Sequence, residues 1–147
     1  MGDSVAVLTW NEQLSVGIAE LDQQHKQLAE MVNDLYDGVG GRRDETVLQR
    51  LLHEMIALAG VHFQTEEWYM RSYGFDGYDR HKGEHAALMA KVHDLKSRID
   101  SGQARITSDV VMFLRNWLQG HILGEDMNYA IFLARQGIPQ RRVQAGV

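Results

Sequence analysis

The sequence predicts an all-α protein: an antiparallel up-down-up-down four-helix bundle with an extended N-terminal arm. Three observations carry this. The single proline is Pro139, so almost the whole 147-residue chain lacks the residue that most strongly breaks helices. Short glycine-containing pieces at 38–44, 72–79 and 100–108 interrupt that stretch. Between the breaks, apolar residues recur at the three- and four-residue spacing of a helix face.

Residues 1–18 read as an arm in which Trp10, Leu14, Val16 and Ile18 can lie on the bundle. The first helix, at about 19–37, carries the stripe Leu21, Leu28, Val32 and Leu35. The second, at about 45–71, carries Leu48, Leu52, Met55, Ala59, Phe63 and Met70. Leu88, Val92, Leu95 and Ile99 mark the third, at about 80–99. The fourth, at about 109–135, carries Val110, Leu114, Trp117, Leu118, Ile122 and Leu133. Thr107 or Ser108 can cap the fourth helix, with Asp109 against its positive end. Gly137 followed by Pro139 reads as its stop signal, and 138–147 as a frayed tail. Helices of this length span about 30 Å, and short connections make neighbours antiparallel. One domain is expected over 1–147, with its core at about 8–136.

Composition bounds the function. A chain of this length can bury one core unaided, and 44% hydrophobic against 24% charged residues is a globular balance. There is no cysteine, which excludes disulfides, thiol catalysis and cysteine-ligated metal clusters. The net charge of -5 and the lack of a basic face argue against nucleic acid as a partner. No apolar run is long enough for a bilayer, and residues 1–10 do not read as a secretory signal. A soluble cytoplasmic domain is the expectation.

Polar residues that interrupt the apolar stripes carry the chemistry. His25 lies between Leu21 and Leu28; His62 and Glu66 continue the face of Met55 and Ala59. His81 and His85 lead into Leu88 and Val92, and His121 follows Trp117 and Leu118. Residues four apart share a helix face, so such pairs can grip one ion. A single histidine on an apolar face is ordinarily a hydrogen-bonded core residue, and His53 and His93 read as surface residues off the stripes. Five imidazoles converging with carboxylates are another matter, because an unpaired buried charge costs several kcal/mol. A metal resolves that conflict.

His25, His62-Phe-Gln-Thr-Glu66, His81-Lys-Gly-Glu-His85 and His121-Ile-Leu-Gly-Glu-Asp126 together resemble the ligand pattern of the hemerythrins. The flanks resemble the bacterial branch: Trp10, Gly17-Ile18, Leu21-Asp22-Gln23-Gln24-His25, Glu66-Glu67-Trp68-Tyr69-Met70 and Trp117-Leu118-Gln119-Gly120-His121-Ile122. The resemblance covers roughly 8–133, almost the whole chain. It implies a metal-ligand set of His25, His62, Glu66, His81, His85, His121 and Asp126. Helix geometry alone pairs His121 with Glu125, because five residues on is about 140° around an ideal helix. The resemblance selects Asp126 instead, and a local widening near Gly124 reconciles the two. Glu125 is the fallback.

Seven protein ligands exceed the needs of one tetrahedral zinc. The resemblance implies two six-coordinate iron ions, Fe2+ or Fe3+, sharing Glu66, Asp126 and an oxo or hydroxo bridge. Five histidines, two bridging carboxylates and that bridge occupy eleven of twelve positions. If His81, His85 and His121 serve one ion, His25 and His62 leave the other with an open position. The resemblance makes dioxygen the ligand there, bound reversibly for transport, storage, delivery or sensing. Leu28, Trp117, Leu118 and Ile122 lie within a turn of His25 or His121 and are expected to wall that position.

The same residues leave rival readings. A ferritin-like di-iron oxidase, releasing peroxide, calls for paired Glu-x-x-His motifs, and this chain has none. Asp22-x-x-His25 is the nearest approach, and Asp22 reads instead as part of an acidic first turn. His81-Lys-Gly-Glu84-His85 matches an inverted zinc-peptidase string, with Glu84 as base, but five residues are a weak signal. A sensing or interaction module would use the same ligands. The expectation is an oxygen-binding protein rather than an enzyme, with residual oxidase activity its alternative.

Overall fold

The computed structural model describes residues 6–136. A short 3-10 turn at Glu12–Leu14 is followed by α1 (Ala19–Gly40), α2 (Glu45–Ser72), α3 (Tyr78–Asp100) and α4 (Ser108–His121). A π-helical turn (Ile122–Asp126) then leads into α5 (Met127–Arg135). The π turn keeps right-handed helical dihedrals at both ends, so α4, the turn and α5 form one rod. The result is an all-α four-rod bundle, and the described residues form no strand. None of the helices among them is long and apolar enough to cross a membrane.

α1 packs on α2 and on α4, and α2 packs on α3. Glu45, at the start of α2, accepts a hydrogen bond from the Ile106 amide beyond the end of α3, at 3.3 Å. His53 in α2 meets Asp100, the last residue of α3, at 3.0 Å. These two helices therefore run antiparallel. The first three connections share one closure, in which the amide two residues past the cap reaches back to a carbonyl of the last turn. Phe75 reaches Met70 at 2.9 Å, Gln103 reaches Arg98 at 2.8 Å, and Arg43 reaches Gly38 at 2.9 Å. The left-handed position in the first two is Gly74 (φ 70°) and Gly102 (φ 82°); in the third it is Arg42 (φ 55°), a strained choice for a residue with a Cβ.

Gly38 does not end the first helix as expected, because α1 runs on to Gly40. A Cβ at position 38 would lie 2.8 Å from Leu48 Cδ2, so this glycine serves the close approach of α1 to α2. Thr107 caps α4, its hydroxyl accepting from the Val110 amide at 3.3 Å. The stop signal at Gly137 and Pro139, and the tail, lie outside the described residues.

The arm is strapped down by three side chains. Asn33 Oδ1 accepts from the Val7 and Leu8 amides at 2.9 and 3.0 Å, and its Nδ2 donates to the Leu8 carbonyl at 2.7 Å. Arg115 Nε donates to the Val7 carbonyl at 2.8 Å. Asp22 is buried and accepts from Ser15 Oγ and the Val16 amide, so it anchors the arm rather than merely lining an acidic first turn.

Two apolar clusters fill the bundle. The larger includes Leu28, Val32, Leu52, Met55, Phe63, Leu88, Val92, Leu118 and Ile122; the smaller includes Val16, Leu21, Met70, Tyr129, Ala130 and Leu133. Along each rod, the buried polar residues sit between members of the two clusters. His25 falls between Leu21 and Leu28, Glu66 between Phe63 and Met70, and Asp126 between Ile122 and Tyr129. The bundle thus has a polar layer sealed by apolar packing at both ends.

Candidate metal centre

The seven side chains expected to bind metal are all buried, and they meet in that layer. His25 Nε2 lies 2.9 Å from His62 Nε2 and 2.8 Å from Asp126 Oδ2, while His62 Nε2 lies 3.3 Å from Glu66 Oε2. On the other side, His81 Nε2 lies 2.6 Å and His85 Nε2 3.0 Å from Glu66 Oε1. His121 Nε2 is 2.9 Å from Asp126 Oδ1 and 3.3 Å from His85 Nε2. Each carboxylate thus divides its two oxygens between two histidine clusters, one of two imidazoles and one of three.

The backbone explains how Asp126 joins them. The π turn inserts one extra residue between α4 and α5, which brings the fifth residue after His121 onto the inner face. Glu125 is turned outward, pairs with Arg80 at 2.9 Å, and stays 3.9 Å from His81 Nδ1. Glu84 is exposed between its two histidines, away from the centre.

Two ligand groups that share Glu66 can each hold a cation: Glu66, His81, His85 and His121, and His25, His62, Glu66 and Asp126. The donor chemistry fits. His62 and His85 have their Nδ1 atoms on outward acceptors, so each presents a lone pair at Nε2. Those lone pairs face the His25 and His121 imidazoles and the Glu66 carboxylate across about 3 Å, a spacing that a shared proton or a cation satisfies. It is also the spacing of adjacent donors on a six-coordinate ion with bonds of about 2.1 Å. Glu66 Oε2 and both Asp126 oxygens are buried without a hydrogen bond of good geometry.

Protonation tells the same story. Burial pulls His121 and His81 down, but the carboxylates of Asp126 and Glu66 outweigh it, raising His121 to about 10 and His81 to about 9. Burial and the Glu66 charge push Asp126 up, yet His121 and His25 bring it down to about 2. Burial pushes Glu66 up as well, and four imidazoles hold it well below the usual carboxylate range. His62 is lowered, chiefly by burial. The two carboxylates stay ionised and demand positive charge in the layer.

A family model described as the hemerythrin HHE cation binding domain matches residues 16–131. A bacteriohemerythrin of Methylococcus capsulatus is 32% identical over 127 residues, covering 85% of this chain and 95% of that relative. One from Pseudomonas aeruginosa is 29% identical over 125 residues, covering 85% and 80%. The chain belongs to the hemerythrin family. A myohemerythrin of Theromyzon tessulatum is 27% identical over 120 residues, covering 82% of this chain and 88% of that protein. The crystal structure of a wild-type hemerythrin superposes with a TM-score of 0.83 at 30% identity, covering 88% of this chain and 99% of that one.

Around the centre lie further contacts, and the roles of Gln24 and Glu67 among them were not expected from the sequence. Gln24 Oε1 accepts from His62 Nδ1 at 2.7 Å, and Glu67 Oε2 accepts from His85 Nδ1 at 2.8 Å. Each of the two is the immediate neighbour of a candidate ligand. Position i±1 on a helix points about 100° away from the ligand, toward the next rod. Phe63 stacks on His85 with centroids 4.0 Å apart, and Trp117 stacks on His121 at 5.1 Å. Tyr129 was also missed; its hydroxyl is buried without a hydrogen-bond partner, and burial together with Glu66 pushes its ionisation upward.

Three of the four residues expected to wall the oxygen position line one cavity. Leu28, Trp117 and Leu118 share it with residues such as Ala59, Met55 and Leu88, and its volume is about 30 Å³. Leu28, Ala59, Leu88 and Leu118 each lie one turn from a histidine of the centre. Ile122 does not line the cavity; it is buried in the same apolar cluster, as the first residue of the π turn. His53 and His93 stand outside the centre, His53 paired with Asp100 and His93 exposed.

Proposed function

We propose that this chain binds dioxygen reversibly at a non-haem pair of iron ions held by His25, His62, Glu66, His81, His85, His121 and Asp126. The observation that carries the reading is the division of Glu66 and Asp126 between two histidine clusters that differ by one imidazole. Two shared carboxylates would tie two ions together, and the unequal histidine count would leave the His25 and His62 side one donor short. An iron pair held by these residues would supply the two electrons that reversible capture of dioxygen draws on.

The chain's own residues set the conditions. Gln24 and Glu67 hold His62 and His85 with Nε2 aimed inward, which fixes tautomer and ring orientation. Leu28, Ala59, Leu88, Trp117 and Leu118 surround the adjacent cavity with apolar atoms. A cavity of about 30 Å³ has room for a diatomic molecule, and its largely apolar wall offers a water few polar partners. No lining residue there carries an acidic group, so the wall withholds the protons that a reduced ligand needs to leave as hydrogen peroxide. That favours a carrier or sensor over an oxidase.

Transport, storage, delivery and sensing all use this arrangement. A single domain with its core at about 8–136, a cytoplasmic location, and dioxygen rather than nucleic acid or membrane as partner belong to the same proposal. The test is stoichiometric. Protein loaded anaerobically with ferrous iron should hold two irons per chain and take up one dioxygen per pair, returning it under argon without hydrogen peroxide. Peroxide appearing in step with oxygen uptake would make the chain an oxidase instead.

A further inference from the structure

We propose that Glu67 and Gln24 are positioning residues that bias the two halves of the centre unequally, Glu67 making the three-histidine half the easier to oxidise. This rests on the iron reading above. Both residues accept a hydrogen bond from the Nδ1 of an inward-facing histidine at nearly the same distance, 2.8 Å for Glu67 on His85 and 2.7 Å for Gln24 on His62. They differ in charge. A carboxylate behind an imidazole draws its Nδ1 proton outward and makes Nε2 a stronger electron donor; a neutral amide supplies only a dipole.

The contrast is built in on both sides. Gln24 cannot offer its amide nitrogen to His62, because Nε2 is engaged with Thr65 Oγ1 at 3.3 Å, whose hydroxyl donates to the Val61 carbonyl at 2.8 Å. The other histidine of that half, His25, has a buried Nδ1 with no hydrogen-bond partner. On the three-histidine half, Glu67 is only 19% exposed, and the Glu125 carboxylate stands 3.9 Å behind His81. Phe63, stacked within 11° of the His85 ring plane, holds that ring in line with Glu67. Among these contacts, the anionic partners all stand behind one half. A ferric ion is favoured where donors are electron-rich, and the half that is one histidine short keeps weaker donors and the better acceptor for an incoming ligand.

Glu67→Gln keeps the size and the acceptor while removing the charge, and Gln24→Glu adds a charge to the other half. Each is loaded with ferrous iron, assayed for two irons per chain, and titrated electrochemically. Glu67→Gln should lower the ferric-over-ferrous affinity ratio about tenfold, which raises the first oxidation potential by about 59 mV. Gln24→Glu should lower the second oxidation potential, that of the two-histidine half, and so narrow the gap between the two. In the zinc-loaded protein, the His85 Nδ1–H resonance should move upfield in Glu67→Gln and stay in place in Gln24→Glu, a pattern that mere loosening would not produce. Two irons per chain with an unmoved potential in either variant overturns the proposal, as does a His85 resonance that responds equally to both. Failure of the unsubstituted protein to hold two irons defeats the iron reading itself, and so the two failures are distinguishable.

Discussion

Asp126→Asn keeps the side chain's size but removes one of the two negative charges in the polar layer. Asp126 is fully buried, and its oxygens lie 2.8 Å from His25 and 2.9 Å from His121. Removing one partner of a buried pair costs about 3–5 kcal/mol, a large part of the roughly 5–15 kcal/mol that holds a domain folded. At about 3 °C per kcal/mol for a chain of this size, the metal-free variant should melt about 9–15 °C lower. Glu125→Gln is the matched control one residue earlier. Its carboxylate is partly exposed and pairs with Arg80, itself 66% exposed, so about 1 kcal/mol or less is at stake, worth roughly 3 °C. Metal content should split the two variants in the same way, with two ions per chain retained by Glu125→Gln and lost by Asp126→Asn. Equal melting shifts, or full loading of Asp126→Asn beside a depleted Glu125→Gln, would refute both the π-turn argument and the assignment of Asp126.

Three further outcomes follow from the same geometry. Leu118→Ala enlarges the apolar cavity, should cost about 2–5 kcal/mol, and should speed autoxidation by admitting water; an unchanged autoxidation rate would remove Leu118 from the pocket. The metal-free bundle should be most stable at about pH 4.5–6.5. His81 and His121, raised to about 9 and about 10, contribute stability that is full below their unfolded value and lost as pH climbs through those figures. Asp126, lowered to about 2, contributes stability that is lost as pH falls toward that figure, and the lowered His62 works against the folded state below about pH 6.5. A flat stability profile from pH 6 to 10, measured by urea titration, would contradict this. Gly38→Ala should cost about 1–3 kcal/mol, because the new methyl meets Leu48, while leaving metal content untouched; depleted metal would mean that the strain reaches the polar layer.

The helices were legible because each carries an apolar stripe between glycine breaks, and the donors because they interrupt those stripes. His62 with Glu66 and His81 with His85 stand four apart, a spacing that reads directly as one face. Asp126 was not legible from helix periodicity. Its position depends on a turn with one residue too many, which only the family pattern pointed to. Gly38 shows the converse, where a glycine read as a break is instead a small residue at a helix crossing. Gln24, Glu67 and Asp22 are polar residues beside ligands or in a first turn, where solvent exposure is the ordinary expectation. Their roles come from the neighbouring rod or the arm, and a contact between distant segments leaves no local periodic mark.

The central claim is that one buried layer holds two irons and exchanges dioxygen reversibly. Protein loaded with ferrous iron under argon is exposed to oxygen, sparged, and followed by its visible spectrum over repeated cycles. Two irons per chain and a charge-transfer band that appears with oxygen and vanishes under argon, cycle after cycle, is the predicted result. A band that fails to vanish, or a single tightly held metal ion in place of two irons, would contradict the account.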